Sequence, residues 1–354
     1  MDMVKFSIKF SILLISLLWM SCSNEKSSTS SFDEEPFYPD SLSIPYKMLL
    51  NDDEVKNIFG SDHFKLVVRN ENNGNLGLLE YKEDSLNFRE FDFGIDSYHP
   101  TISPDGSKIA FCSVFEGLPD PSKLYVVDLN TEKIDSLNVA SAAIPRWYVL
   151  PNGDTTIVYV DFPGNNQSVE WLSSGTWQVT YQNNEFGIPK KIFNRSFNGG
   201  VSYDYSFTAT GSPKLLYHFA KDDDSVNSDY YNDEQACNVS ISRDSLEIIS
   251  FLETGGAIGK QFTHDRRGTW HYYIFYQNRE GEIIKAIPSL ENTVFDHVEW
   301  INVSGLQVGI IVTANAEYNR VAVIDYQKSK VTLLIQSANQ VTIWHPDLWV
   351  DTGE

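Results

Sequence analysis

The stretch His-Pro-Thr-Ile-Ser-Pro-Asp-Gly-Ser-Lys-Ile-Ala-Phe, residues 99–111, predicts a strand, a tight turn and a second strand. Its centre, Ser-Pro-Asp-Gly at 103–106, suits a type I turn, because proline presets φ at the second position and glycine is favoured at the fourth. The following residues, Ile-Ala-Phe-Cys at 109–112, are apolar on both faces of a strand. Such a strand is typically buried between two layers of structure.

Weaker copies of this block recur along the chain. Trp147 lies 45 residues after Ile102, and Leu348 lies 48 residues after Trp300. The well-preserved copies are followed by a strand, a turn and another strand, so that each unit holds four strands. Units of this length and content are typical of the blades of a β-propeller. The sequence therefore predicts an all-β fold, a β-propeller of four-stranded blades anchored at Ile102, Trp147, Phe207, Ile241, Trp300 and Leu348.

The two ends of the repeat region complement each other. The N-terminal part holds three predicted strands, 64–69, 76–81 and 88–93, whereas the last copy supplies a single strand near 343–350. Together they would complete one blade, close the ring and remove the exposed sheet edges. Counting this blade gives six. Five blades with an insertion is the alternative, because only 34 residues separate Phe207 from Ile241.

The Ser-Pro-Asp-Gly-Ser-Lys-Ile-Ala-Phe block resembles the WD40-like repeat of TolB-like propellers, called PD40. The resemblance covers residues 62–350. It implies a propeller that acts as a binding or protein-interaction scaffold, with its ligand at the channel.

Composition restricts the class of partner. The 354 residues include 27 Lys and Arg against 48 Asp and Glu, a net charge of −21. Nucleic acids and anionic membrane surfaces bind through basic patches, so the sequence predicts that neither is the main partner.

The N-terminus resembles that of a bacterial lipoprotein. Lys5 and Lys9 precede an apolar run, 10–20, that is short for a membrane span and suits a secretory signal. The sequence Leu-Trp-Met-Ser-Cys at 18–22 resembles a lipobox, which implies cleavage before Cys22 and acylation of its thiol. An ordinary cleaved signal or a retained anchor helix is the alternative. The resemblance implies export and anchoring in the cell envelope, and Ser23 is compatible with the outer membrane.

We divide the chain into a signal peptide, 1–21, a flexible tether, 22–46, and a single propeller domain, 47–354. Before the first strand, a short helix is expected, with Asn51 as N-cap, Glu54 at the third position and Gly60 as its end. Cys112 and Cys237 are predicted to be small buried residues, with a long-range disulfide as the alternative.

No catalytic, metal or cofactor motif is found. The sequence contains no Gly-x-Ser-x-Gly, His-Glu-x-x-His or Cys-x-x-Cys. The acidic run 222–229 lacks the glycine and the final glutamate of an EF-hand calcium loop. We therefore predict no catalytic residue, no metal and no cofactor.

Polar residues directly before the first strand of a blade are expected at the rim of the central channel. One repeat position is occupied by His99, Asn238, His297 and His345. Two polar segments, 232–238 and 296–300, include two of these residues. Two interpretations stay open: these residues bind a ligand, or they form hydrogen bonds between blades. The candidate rim residues are His99, Gln235, Asn238, His264, Asp296, His297, Glu299 and His345.

Three functions are compatible with these features. The first is a non-enzymatic scaffold, anchored to the envelope, that binds an envelope protein or a glycan. The second is a hydrolase or lyase that acts on polysaccharide at the channel rim. The third is a structural subunit of an envelope complex. The absence of catalytic motifs favours the first.

Overall fold

Residues 99–111 form two antiparallel strands and a tight turn, as predicted. In the computed structural model the N–H of Gly106 donates to the carbonyl of Ser103 at 2.8 Å, which closes the turn. Gly106 has a φ of 66°, and a Cβ at this position would approach the indole ring of Trp349 to 2.6 Å. Both the left-handed backbone and this close approach favour glycine.

The structure describes residues 44–353 except 151, 223–227, 254, 263–270, 292, 302–307, 315–318 and 339–340, and for 308–314 it describes the backbone. The predicted signal peptide and nearly all of the predicted tether, including Cys22, lie outside the described residues. The strands and helices are, in chain order, β1 Tyr46–Met48, α1 Asp52–Phe59, β2 His63–Asn70, β3 Leu76–Lys82, β4 Ser85–Phe91, β5 Tyr98–Ile102, β6 Lys108–Cys112, β7 Leu124–Asp128, β8 Ile134–Ser136, β9 Ala143–Val149, β10 Thr155–Val160, α2 Val169–Ser173, β11 Gly175–Gln182, β12 Glu185–Phe186, β13 Lys190–Asn194, β14 Phe207–Thr210, β15 Leu216–Phe219, β16 Ser228–Asp229, β17 Ala236–Ile241, β18 Ile249–Glu253, a 3₁₀ turn Gly259–Gln261, β19 Tyr273–Gln277, β20 Ile283–Pro288, β21 Phe295–Trp300, β22 Val308–Ala314, β23 Arg320–Asp325, β24 Lys330–Ser337 and β25 Ile343–Val350.

These strands form six antiparallel sheets, the blades of a six-bladed propeller. Blade one is β5–β8, blade two β9–β13, blade three β14–β16, blade four β17–β20, and blade five β21–β24 with β1 at its outer edge. Blade three has three strands, which agrees with the short spacing before Ile241. The first strands of neighbouring blades contact each other, so that they surround the channel.

Blade six closes the ring from both ends of the chain, as predicted. Its order is β25, β2, β3, β4, and β25 pairs with β2 from Phe64–Val350 to Asn70–Ile343. The prediction of six blades is therefore confirmed over the five-bladed alternative.

The blades are joined by a repeated hydrogen bond at their inner strands. The indole N–H of Trp147 donates to the carbonyl of Thr101 in the preceding blade at 3.1 Å, and that of Trp300 donates to the carbonyl of Ser240 at 3.2 Å. Both tryptophans are buried. Because their polar atoms are used between blades, these residues hold the ring together and do not present a glycan-binding surface.

The helix and the cysteines agree with the sequence. Asn51 and Glu54 form the reciprocal hydrogen bonds of a capping box, and Gly60 ends α1 with a φ of 68°. Cys112 and Cys237 are buried thiols, so the predicted packing role is confirmed and no disulfide joins them. Among the helices that the structure describes, none has the length and apolarity needed to cross a membrane.

Candidate functional site: a histidine–glutamate cluster in the channel

A β-bulge lies near the start of the first strand in five of the six blades. In β5 the pairing shifts between Tyr98 and Thr101, and the same shift occurs in β9, β17, β21 and β25. His99, Asn238 and His345 lie at equivalent bulge positions and have φ values of 49°, 50° and 47°. A bulge with a left-handed residue reorients its side chain and costs about 1–3 kcal/mol when that residue is not glycine. The repeated bulge therefore places polar side chains at one end of the channel.

His297 reaches the same place by a different register. Its bulge lies one residue earlier relative to the anchor Trp300, so Asp296 and His297 together occupy it. The predicted equivalence with His99 therefore holds for distance along the chain, whereas the backbone conformation differs.

Three histidines and one glutamate converge at this end of the channel. One nitrogen from each of His99, His297 and His345 and one carboxylate oxygen of Glu116 all lie within 4.8 Å of one another. The rings of His99 and His345 stack with centroids 4.1 Å apart, and the ring of His297 meets that of His345 edge-on at 4.4 Å. Blades one, five and six thus each contribute one imidazole.

Glu116 reaches the cluster from the loop between β6 and β7. Phe115 packs against Trp344 at 5.1 Å between ring centroids, and the N–H of Gly117 donates to the carbonyl of Pro163 at 2.8 Å. These contacts hold the loop against blades two and six. Oε2 of Glu116 lies 2.5 Å from Nε2 of His99.

The imidazoles are buried but incompletely paired. Nδ1 of His297 and Nε2 of His345 have no hydrogen-bond partner among the described residues. Nε2 of His99 is paired with the carboxylate of Glu116, 2.5 Å away. Leaving a buried polar atom unpaired costs about 1–3 kcal/mol, so two such atoms in one place are unusual for a packing role.

The charge state of the cluster follows from its burial. Burial lowers the pKa of His297 to about 4 and lowers the pKa of His345 well below its usual value. Burial alone would raise the pKa of Glu116, but the neighbouring His99 outweighs it and lowers this pKa to about 2. At neutral pH, His297 and His345 are therefore neutral, and they lie beside an ionised carboxylate.

Glu299 lies next to the cluster and belongs to a separate network. Both of its oxygens accept from the guanidinium of Arg146, and one also accepts from the hydroxyl of Ser240 at 2.8 Å. Arg146 further donates to the carbonyl of Asn198 at 2.6 Å. This network connects blades two, four and five, and it uses the carboxylate of Glu299 fully.

The predicted rim residues therefore separate into groups. His99, His297 and His345 come together, whereas Glu299 serves the network between blades. The amide of Asn238 donates to the carbonyl of Asp296 at 3.3 Å, and burial, followed by the charge of Glu116, raises the pKa of Asp296 to about 7. Of the two remaining candidates, Gln235 pairs with Lys214 in an isolated bridge, and His264 lies outside the described residues.

Sequence analysis missed two residues of this region, Glu116 and Arg146. Glu116 lies in a segment without periodicity or motif, and its only signal is the length of the loop between β6 and β7. Arg146 directly precedes the anchor Trp147, and a charged residue there, in an otherwise apolar strand, was a usable signal.

No protein-family model and no curated protein matches the sequence. Solved structures do match the fold. A chain in the crystal structure of a nidogen–laminin complex is 10% identical, with a TM-score of 0.52, over 81% of this chain and 98% of that one. The β-propeller domain of the Trilobed protease from Pyrococcus furiosus is 13% identical, with a TM-score of 0.40, over 76% of this chain and 78% of that one. At these identities the likeness concerns the fold alone.

Proposed function

We propose that this chain is a lipid-anchored binding protein of the bacterial cell envelope, and that its propeller binds a polar ligand, a glycan or an envelope protein, at the histidine–glutamate cluster. The observation that carries the proposal is the convergence of His99, Glu116, His297 and His345, in which one nitrogen of His297 and one of His345 are buried without a hydrogen bond from the described residues. A ligand that pairs these atoms would recover the free energy that their burial costs.

The remaining features support an anchored scaffold. The lipobox-like segment ending at Cys22 supports acylation, and the PD40-like block at 103–111 supports a TolB-like scaffold. Replacing Cys22 by Ser should abolish incorporation of labelled fatty acid and release the protein from the membrane fraction. Unchanged labelling of Cys22→Ser would contradict the anchor.

Binding is tested with the chain from residue 22 onward, carrying Cys22→Ser, against a panel of envelope polysaccharides by isothermal titration. We expect Glu116→Gln to weaken binding by at least tenfold, because it removes the charge of the cluster. His63→Gln is the matched control, since His63 bonds to Asp351 and Glu80 away from the cluster. Equal affinity of Glu116→Gln and the parent would contradict a site at the cluster.

A hydrolase or lyase is the second candidate. Burial, followed by the charge of Glu116, raises the pKa of Asp296, so these two carboxyl groups interact beside the imidazoles of the cluster. Acid–base chemistry uses such groups. Incubation with the same panel, followed by assay for new reducing ends and unsaturated products, tests it. Product that persists in Asp296→Asn and Glu116→Gln would contradict catalysis by these groups.

A further inference from the structure

The strongest feature that the binding proposal leaves unexplained is the chemical nature of the cluster. His99, His297 and Glu116 present nitrogen and oxygen atoms to one small volume, and the ring of His345 lies beside them. Stacking holds the rings against one another, His99 on His345 and His345 on Trp344 at 4.6 Å. A single ion satisfies Nε2 of His99, Nδ1 of His297 and the carboxylate of Glu116 at once.

We propose that the cluster binds one divalent first-row transition-metal ion, with Nε2 of His99, Nδ1 of His297 and the carboxylate of Glu116 as its protein ligands. This inference deepens the proposed function and rests on it only for the place of binding. Imidazole nitrogen with one carboxylate suits zinc, nickel, iron or manganese, whereas calcium and magnesium prefer sites made of oxygen alone. The carboxylate supplies one negative charge against the two positive charges of the ion.

The geometry is close to that of a bound ion. Ligands at about 2.0–2.2 Å from a metal lie roughly 3–3.5 Å from one another. The four groups span at most 4.8 Å, and the His99–Glu116 contact of 2.5 Å is the pair that an ion would separate. Closing the widest pair from 4.8 Å to this spacing takes a shift of roughly 1–2 Å.

His345 has a different role because its Nδ1 is already used. The backbone N–H of His99 donates to this nitrogen at 3.2 Å, so the proton of the neutral ring is on Nε2. A protonated nitrogen cannot coordinate, but it donates a hydrogen bond to a molecule bound at the metal. Three protein ligands with a donor beside the open positions are typical of sites that bind or transform a ligand, since structural zinc sites are filled by four protein ligands.

Residues around the cluster hold its rings in place. Trp344 stacks on His345 with an interplanar angle of 14°. Glu299, held by Arg146, lies 3.8 Å from Nε2 of His297, which is longer than a hydrogen bond, so its charge acts on this ring without a bond to it.

The test uses metal alone on the chain from residue 22 onward with Cys22→Ser, after dialysis against a chelator. Titration with ZnCl₂, NiCl₂ and MnCl₂ should show one ion per chain for at least one of them and a rise in the unfolding midpoint. His297→Gln and Glu116→Gln should each weaken binding by at least tenfold, and His345→Gln by less. The control His63→Gln should change the metal affinity by less than twofold. Asp351 and Glu80 bond to opposite nitrogens of the His63 ring, so these three groups do not converge on one point.

Cobalt provides a readout that does not depend on the folding of a variant. Co²⁺ bound to the parent protein should give visible absorption bands of nitrogen and oxygen ligation, and Zn²⁺ should abolish them. Absence of binding by the parent, or the same affinity in the His297→Gln/Glu116→Gln double variant with native circular dichroism, would overturn the inference. This experiment contains no glycan or partner protein. A failure to bind metal would therefore overturn the metal site alone, and the binding proposal is tested separately by the titration with polysaccharides.

Discussion

Two buried polar groups lie side by side in the channel and differ in how completely they are paired. In the network of Arg146, Glu299 and Ser240, the guanidinium and the carboxylate are hydrogen-bonded across three blades. In the neighbouring cluster, Nδ1 of His297 and Nε2 of His345 have no hydrogen-bond partner among the described residues. The two groups approach to 3.8 Å between His297 and Glu299.

The difference separates two roles that the repeat position alone could not distinguish. A fully paired buried network stabilises the fold and specifies how the blades meet. A buried group that stays unpaired destabilises the ligand-free fold, and such groups concentrate at functional sites. Hydrogen bonds between blades are observed for Glu299, whereas ligand binding at His99, His297 and His345 stays a prediction.

The largest effect is expected from removing the strand on which both groups depend. Deletion of 341–354 removes β25, and with it His345 and the first strand of blade six. The buried inner edge of β2 would lose its partner, so we expect loss of cooperative unfolding in a thermal melt. Deletion of 352–354 is the control and should leave the melt unchanged. A cooperative transition in the larger deletion would contradict ring closure.

Breaking the network of Arg146 and Glu299 should lower the free energy of unfolding by more than changing a histidine of the cluster. Arg146→Met leaves the buried charge of Glu299 without its main partner, for which we expect a loss of about 3–5 kcal/mol. His297→Gln, in metal-free protein, should change the free energy of unfolding by about 1 kcal/mol or less, because Nδ1 of His297 has no bond to lose. Urea denaturation measures both.

The double variant Arg146→Met/Glu299→Met is the control for this comparison. It removes both charges and should recover most of the stability lost in Arg146→Met. If His297→Gln were as destabilising as Arg146→Met, the distinction between the two groups would fail.

Ser240→Ala tests how much the hydroxyl of Ser240 contributes to the stability of the network around Glu299. The hydroxyl of Ser240 donates to Glu299 at 2.8 Å and accepts from the N–H of Trp300 at 3.3 Å. Loss of a bond to a charged group should cost about 2 kcal/mol in urea denaturation. Ser173→Ala, which removes an exposed hydroxyl in α2, should cost much less. Equal effects of the two changes would mean that the network adds no stability.

Asp128 is a paired carboxylate outside the channel. Replacing it should give the smallest loss of stability among these variants. A hydrogen bond from Lys108, followed by bonds from Thr131, lowers the pKa of Asp128 to about 2. Since the unfolded value is about 3.9, its stabilisation is present above that pH and is lost as the pH falls through about 2. Asp128→Asn should cost about 1 kcal/mol at pH 7 and progressively less towards pH 2. If the stability difference between Asp128→Asn and the parent stayed constant with pH, the ionised carboxylate of Asp128 would not be its source.

Much of the fold could be predicted because propeller blades are local in sequence. The turn at 103–106, the strands after it and the cap of α1 depend on residues that are close along the chain. Even ring closure was predictable, since one end of the repeat region lacked the strand that the other end supplied. Strand β1 was missed, because Tyr46 and its neighbours carry no turn signal and pair only with distant β24.

The candidate site was predicted in part. His99, His297 and His345 could be found because they keep one distance from the anchor of each blade. Glu116 could not be found, because its position depends on how one loop packs against Trp344 and Pro163. The absence of a metal motif in the sequence has a related cause: the proposed ligands come from two separate blades, one and five.

The sequence by itself determined the blades, their number and the closing strand, since these follow from alternating apolar residues and from turn residues a few positions apart. The tertiary structure decided which polar residues are paired and which are not. Glu299 and His297 are two residues apart, yet one faces Arg146 of blade two and the other faces His345 of blade six. Hydrogen bonding acts over about 3 Å in space, and proximity across the channel is not encoded in the spacing of any single repeat.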